Sequence, residues 1–427
     1  MLGSAVQNLI ALTDSLFLYY LDETDFATIG FVGVFYLVVA SIGYGFSKGG
    51  QIIISRRMGE HRYPQVGRTF YDMVYFELGL ALVMFLFMQY GCPYFFKLFV
   101  ESPEIYAKSL EYLEYRSWGV FFSYTGVAMI ALYTGTARPG FIVTDTLLLA
   151  LVNGVLNYAL IFGHFGLPAM GIAGAGLAST LAEAAAFVAF VGYILLDRKN
   201  RAWHLFRLPP ISWVKIRNLY SISTPIVAQS IVGLGSWFVF FGVVENMGER
   251  PLAITNLIRM VYLVLSIPTW GFASGVNTLV SNFIGAQKRQ AVLPLIWKTA
   301  KLCWLVTMVF TLPVALFPEV ILAPLLHSGG DIILNAKPLF HLLILMLTGF
   351  SIGGIYFNGL SGTGATYSGL KVQTICAVMY LVYVHLAVNV FHANLLWAWG
   401  SEVFYWALML GCTLWYLHSR RWHGVRV

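Results

Sequence analysis

The feature that most constrains this chain is a succession of apolar runs, each long enough to cross a lipid bilayer as one α-helix of about 20 residues. Lipid offers no partner to exposed backbone groups, so such runs are expected to be helical. We predict an all-α polytopic membrane protein with about twelve transmembrane helices. The runs fall at roughly 1–21, 27–48, 70–92, 116–137, 141–163, 172–196, 219–245, 254–280, 293–317, 338–361, 371–391 and 395–417.

Composition and charge agree with a membrane protein and exclude a soluble one. Hydrophobic residues make up 59% of the chain and charged residues 11%, against about 25% charged in soluble domains. The net charge of +7 could indicate nucleic-acid binding. However, most Lys and Arg residues fall on the side that carries both termini, while a few, including Arg116, are assigned to outer segments. The positive-inside rule therefore predicts cytoplasmic termini in the plasma membrane, with no nucleic-acid partner.

The chain is predicted to contain two halves of six helices each. Its longest polar stretch lies midway, and we expect it to be a cytoplasmic linker. The predicted parts are an N-terminal six-helix lobe (1–196), the linker (197–218), a C-terminal six-helix lobe (219–417) and a cytoplasmic tail (418–427).

The two halves repeat each other in sequence. The residues Gly45, Phe46 and Gly49 recur at a shift of 226 positions, as do Ser55 and Gly59. Six spans per half is an even number, so both halves have the same orientation. They are predicted to be related by a pseudo-twofold axis along the membrane normal, with a cavity between them, which is typical of transporters.

These residues resemble the multidrug and toxic compound extrusion (MATE) family over nearly the whole chain. The motifs that carry the resemblance are Gly45 to Gly59, Ala137-Arg138-Pro139, Val152 to Asn157, Ile161-Phe162-Gly163, Gly171 to Thr180, Pro268, Gly271-Phe272 and Gly285-Ala286. The resemblance implies two six-helix lobes forming a V, and cation-coupled export of mostly amphipathic, often cationic drugs.

The resemblance also implies a coupling site in the first lobe. Asp14 and Gln7 match an Asp and a Gln that family members carry in the first span. Asn153 and Asn157 match an Asn and an Asp in the fifth span, so this chain has Asn where the family has its second carboxylate. The choice between Na⁺ and H⁺ therefore stays open.

Depth along the helices brings the same residues together. At 1.5 Å per residue, Asp14 lies about 10 Å below the outer end of its span, with Asn153, Asn157, Thr180 and Glu183 between about 9 and 16 Å. Three helices thus present polar side chains at one depth. We expect these five residues to couple a cation, with Na⁺ held by Asp14, Asn153 and Asn157 or a proton held on Asp14. Interhelical hydrogen bonding is the alternative for the two asparagines.

Four further residues are candidates for the substrate cavity: Gln7, Gln229, His385 and Glu402. Glu402 lies about 10 Å from the outer end of the last span, and His385 lies at a similar depth. A charged side chain at that depth is costly, so an acid there indicates function. A neutral, hydrogen-bonded histidine is the alternative for His385.

The predicted function is secondary active antiport, in which a monomer in the bilayer exports an organic small molecule in exchange for Na⁺ or H⁺. No cofactor beyond that coupling ion is expected. The chain has no P-loop, GxSxG or HExxH motif, so we do not expect an enzyme. A flippase of lipid-linked oligosaccharides from the same superfamily is the main alternative. A major-facilitator carrier and an intramembrane enzyme fit less well.

Overall fold

The computed structural model of the chain describes residue 10, residues 13–322 and residues 330–425. Every regular element in those residues is helical, which confirms the all-α prediction. The helices are α1 (13–19), α2 (Glu23–Gly59), α3 (Tyr63–Leu86), α4 (Cys92–Phe96), α5 (Pro103–Arg116), α6 (Gly119–Gly135), α7 (Gly140–Phe162), α8 (Gly171–Leu196), α9 (Trp213–Glu245), α10 (Glu249–Leu265), α11 (Ile267–Gly285), α12 (Val292–Leu316), α13 (Pro318–Leu322), α14 (Gly330–Gly362), α15 (Thr366–His385) and α16 (Leu395–His418).

The chain divides into two compact units. The N-terminal unit ends at Ser223 and the C-terminal unit begins at Thr224. The boundary therefore lies inside α9, ten residues after that helix begins at Trp213. The predicted bounds of the lobes, linker and tail stay predictions.

Membrane-spanning length is common among the helices. Within the described ranges, eight helices are long and apolar enough to cross a membrane, or nine if the bent pair α10 and α11 is one span. The predicted span 116–137 corresponds to α5 and the short apolar helix α6, and the predicted span 395–417 corresponds to α16. Most of the predicted span 1–21 lies outside the described residues.

The sequence repeat is visible in the helices. The segment Pro103 to Gly135, which forms α5 and α6, matches α14 at a shift of 227. Helix packing repeats as well, because α2 and α3 contact α6 as α11 and α12 contact α14. One difference is a bend of 45° between α10 and α11, where α2 is continuous. Pro268 lies in the first turn after that bend, where a missing N–H is tolerated.

Local signals place the helices that carry the polar residues. The Ser102 hydroxyl accepts a hydrogen bond from the Ile105 N–H and caps α5, which Pro103 begins. Helix α7 ends at Phe162, because the next residue, Gly163, adopts a left-handed φ of 76° that glycine tolerates and that terminates the helix. A short turn then leads to α8, which packs along both α5 and α7. The polar faces of α5, α7 and α8 therefore meet inside the N-terminal unit.

Candidate cation-coupling site

Asp14 is fully buried and accepts hydrogen bonds from three other helices. Asn157 Nδ2 lies 2.8 Å from Asp14 Oδ1, and Asn153 Nδ2 lies 3.3 Å from the same oxygen. Ser179 Oγ lies 2.8 Å from Asp14 Oδ2. Hydrogen bonds to a charged carboxylate are roughly twice as strong as neutral ones. The structure thus brings together three of the predicted residues from α1 and α7, and adds Ser179 from α8.

The two asparagines share one face of α7 because they are four residues apart. Asn153 Nδ2 also donates to Ser179 Oγ over 3.0 Å, which links α7 to α8. From α5, the Tyr112 hydroxyl lies 3.4 Å from Asp14 Oδ2. Sequence reasoning missed Ser179 and Tyr112. Ser179 immediately precedes the predicted Thr180, so the motif was recognised but its inward-facing residue was not.

A buried ion pair lies beside this cluster. Arg116 Nη1 is 2.7 Å from Glu183 Oε2, and Arg116 Nη2 is 2.8 Å from Glu183 Oε1. Both side chains are almost completely buried. The Arg116 guanidinium also lies 3.8 Å from the centre of the Tyr36 ring, close enough for a cation–π contact. This bidentate geometry holds the arginine in one position.

The ion pair corrects the prediction for Arg116, which was assigned to an outer segment. Helix α5 begins at Pro103 and carries Arg116 at its end, inside the unit and not in an outer loop. Glu183 is bonded to this arginine, and Thr180 donates to the Tyr115 carbonyl oxygen over 2.9 Å. Thr180 and Glu183 therefore contact α5, whereas Asn153 and Asn157 contact Asp14.

The formal charges of the site leave it with one net negative charge. Arg116 balances one carboxylate, Glu183, and Asp14 has donors around it but no direct ion pair among the described residues. A buried charge without a counter-charge is unfavourable. One monovalent cation or one proton would make the site neutral.

The site contains oxygen atoms that suit such a cation. Asn157 Oδ1 is buried and accepts no hydrogen bond, although it lies in the Asp14 cluster. Carboxylate, amide and hydroxyl oxygens are ligands for hard cations. No group of three His, Cys, Asp or Glu residues suitable for a metal occurs in the described ranges. The set here has one free carboxylate, two amides and a hydroxyl, which fits a monovalent ion better than a divalent one.

The predicted substrate-cavity residues have separate environments. Gln7 lies outside the described residues. Gln229 is buried and donates to the Thr366 carbonyl oxygen over 2.9 Å, while exposed His385 is hydrogen-bonded to Asn389 over 3.0 Å. Glu402 is 3% exposed and accepts a hydrogen bond from Trp237 Nε1 over 2.8 Å. The structure does not bring Gln229, His385 and Glu402 into one hydrogen-bonded cluster.

Comparisons with known proteins define the class. The MatE family model matches residues 1–159 and 225–386 of this helical membrane protein. The chain therefore belongs to the MatE family and is a transporter and not an enzyme.

Individual relatives agree with this assignment. The chain is 23% identical over 413 residues to the probable multidrug resistance protein NorM of Thermotoga maritima, which covers 93% of this chain and 85% of that protein. It is 25% identical over 218 residues to the NorM protein of Agrobacterium fabrum, covering 50% of this chain and 46% of that protein. A crystal structure of MATE in the bent conformation matches 98% of this chain and 92% of its own, with a TM-score of 0.87 and 17% identity. That structural match shows the fold.

Proposed function

We propose that this protein is a secondary active antiporter that exports organic, cationic or amphipathic compounds in exchange for Na⁺ or H⁺. The observation that carries the proposal is the buried Asp14, which has one uncompensated charge inside a cluster of donors from three other helices. The names of the relatives support drug export, since those proteins are described as probable multidrug resistance proteins.

The cluster links cation binding to helix packing. Asp14 lies on α1, and its hydrogen-bond donors lie on α5, α7 and α8. A cation or proton that neutralises Asp14 weakens these charge-assisted bonds, so the packing of α1 changes with occupancy. A small cavity lined by Tyr36, Tyr112 and Arg116 adjoins the cluster. Binding linkage then requires that cation and exported compound weaken each other's affinity.

Both coupling ions can be accommodated by the same residues. A proton on Asp14 would turn the carboxyl group into a donor, and the unpaired Asn157 Oδ1 is an acceptor in the same cluster. Na⁺ would need amide oxygens, so Asn153 and Asn157 would have to rotate and present Oδ1 in place of Nδ2. We place the protein in the plasma membrane with cytoplasmic termini, because its Lys and Arg residues follow the positive-inside pattern. We propose that it acts as a monomer.

Reconstituted vesicles test the proposal. The purified full chain is placed in liposomes, and export of the fluorescent cation ethidium is driven by a Na⁺ gradient or, separately, by a pH gradient. Asp14→Asn keeps the size of the side chain and removes its charge. We expect it to lower gradient-driven export by roughly 5- to 150-fold, the usual range for a coupling free energy.

Asp22→Asn is the matched control. It makes the same chemical change at a carboxylate whose side chain is 49% exposed, and it should export ethidium at the wild-type rate. Wild-type export by Asp14→Asn at equal membrane expression would show that Asp14 only stabilises the fold. The gradient that drives wild-type export identifies the coupling ion.

A further inference from the structure

The C-terminal unit contains an equivalent of the Asp14 cluster. Helices α9 and α16 are the counterparts of α1 and α8, and they carry Trp237 and Glu402. In the N-terminal unit, Ser179 donates to Asp14 over 2.8 Å; in the C-terminal unit, Trp237 donates to Glu402 over the same distance. The corresponding helices are therefore joined by a hydrogen bond to a buried carboxylate in both units, and the carboxylate lies on the other helix of the pair.

The neighbours of Glu402 also follow the repeat. Tyr380 stands at the position of Asn153 at a shift of 227, and its hydroxyl lies beside Glu402. Tyr262 stands at the position of Tyr36 at a shift of 226 and interacts electrostatically with Glu402. Residues around Glu402 thus stand at positions that match Asn153 and Tyr36 of the N-terminal site.

The surroundings of Glu402 also resemble those of Asp14 in lacking a compensating positive charge. Leu343 stands where the N-terminal unit has Arg116, at a shift of 227, and it is completely buried. Among the described residues no Lys or Arg forms an ion pair with Glu402. Arg259 of α10 lies over the Phe241 ring instead, 5.1 Å from its centre. Glu402 is therefore, like Asp14, a buried carboxylate that forms no ion pair with a described side chain.

The groups facing Glu402 favour a proton as its ligand. The titratable ones are Tyr262 of α10, Tyr380 of α15 and Tyr405 of α16. Helix α9 contributes Trp237, and α14 contributes Phe350, which packs on Trp406. Indole N–H groups have no lone pair for a metal ion. Because Glu402 is 3% exposed among these rings, the site suits a ligand that needs no added volume.

Two further buried donors lie beside the Glu402 carboxyl group. They are the Tyr380 hydroxyl and Trp406 Nε1. Both face the carboxyl group, as does Trp237. These donors can stabilise the charged carboxylate when a proton leaves, while the surrounding rings favour the neutral form when a proton is bound. The pocket can therefore hold Glu402 in either state.

We propose that Glu402 is a second, proton-binding coupling site, located in the C-terminal unit. It takes up a proton on one side of the membrane and releases it on the other during export. This inference rests on the proposed antiport but concerns a different residue and a different unit from Asp14.

Infrared difference spectroscopy on the purified full chain in lipid tests proton binding without any transported compound. The carbonyl stretch of a protonated carboxyl group should disappear as the pH is raised, and this band should be missing from Glu402→Gln. Trp237→Phe keeps an aromatic ring but removes the donor to the charged form. It should move the titration midpoint upward by about one pH unit, the equivalent of one charged hydrogen bond.

Transport provides the second measurement. In ethidium-exporting vesicles, Glu402→Gln should slow export driven by a pH gradient by at least about fivefold, the lower end of usual coupling. A spectrum without a titrating Glu402 band, or wild-type export by Glu402→Gln, would overturn the proposal. Loss of export in Asp14→Asn tests the proposed function separately. If ethidium is not exported at all, the infrared titration still decides whether Glu402 binds a proton.

Discussion

The two units build similar buried sites from different side chains. In the N-terminal unit the carboxylate is on α1, and a second acid, Glu183, is cancelled by Arg116. In the C-terminal unit the single carboxylate is Glu402 on α16, and Leu343 replaces the arginine. Buried ion pairs can often be exchanged for apolar residues without loss of stability. Because leucine occupies the equivalent position, the fold does not require the Arg116–Glu183 pair, and each member of the pair cancels the charge of the other.

The largest expected effect comes from changing that charge. Glu183→Gln leaves Arg116 to neutralise Asp14, so the site no longer needs a cation. Removing one elementary charge within roughly 8 Å of a bound cation changes its binding free energy by about 2 kcal/mol or more at an effective dielectric constant of about 20. We therefore expect cation affinity, measured from the ion dependence of ethidium export, to fall by roughly 30-fold.

Two further variants complete this series. Arg116→Gln leaves two uncompensated carboxylates and should bind the cation more tightly than the wild type. The double variant with Arg116→Gln and Glu183→Gln restores the original net charge, and its affinity should return to within about threefold of the wild type, since the two changes cancel as a coupled pair. An equal loss of cation affinity in Glu183→Gln and in the double variant would mean that Glu183 binds the cation directly and does not act through its charge alone.

A smaller effect is expected from crowding the ion pair. A methyl group at Gly119 would lie against Arg116 Nη1 and 2.6 Å from Glu183 Oε2. Gly119→Ala should therefore destabilise the N-terminal unit by about 1–3 kcal/mol, as overpacking does. Thermal unfolding in detergent measures this loss.

Gly126→Ala on the same helix is the control, because nothing lies within 4 Å of the added methyl group. That variant should be neutral or slightly more stable, since alanine favours helix more than glycine. Equal melting temperatures for the two variants would show that the Arg116–Glu183 region is loosely packed.

The smallest effect concerns a link that only the N-terminal unit has. Asp197 Oδ2 lies 2.7 Å from Arg138 Nη1, and the repeat places Ala365 where Arg138 stands. Partial burial alone would raise the pKa of Asp197, but bonds from Arg138 and the Lys199 N–H outweigh it, so the pKa lies below its ordinary value. The stabilisation is therefore present above the ordinary pKa and is lost as the pH falls through the lower, folded value.

Asp197→Asn should lower the free energy of unfolding by less than about 1 kcal/mol at neutral pH, because the Asp197–Arg138 pair is partly exposed and screened by solvent. The difference from wild type should vanish in acid, which unfolding curves at both pH values would show. Glu319→Gln removes a half-exposed partner of Lys337 and should have no measurable effect. A loss of stability in Asp197→Asn that persists in acid would mean that Asp197 acts through packing and not through its charge.

Much of the N-terminal site could be predicted from the sequence. Asp14, Asn153 and Asn157 were placed at one depth, and the structure joins them by hydrogen bonds. Arg116 was misplaced because a charged residue near the end of an apolar run is normally assigned to a loop. Arg116 can be buried because it pairs with Glu183, which lies 67 residues away in sequence. No local sequence pattern reveals such a pair.

The sequence alone determined the helical class, the number and length of the apolar runs and the internal repeat, because helix formation in lipid depends on local hydrophobicity. It also determined the family. Only the tertiary structure decided that Ser179 and Tyr112 bond to Asp14, that Glu183 bonds to Arg116, and that Trp237 bonds to Glu402. Those contacts depend on how each helix is rotated about its axis and how side chains from distant segments pack. Several rotations of a helix about its axis bury a similar apolar area, so the hydrophobic pattern of the sequence does not choose among them.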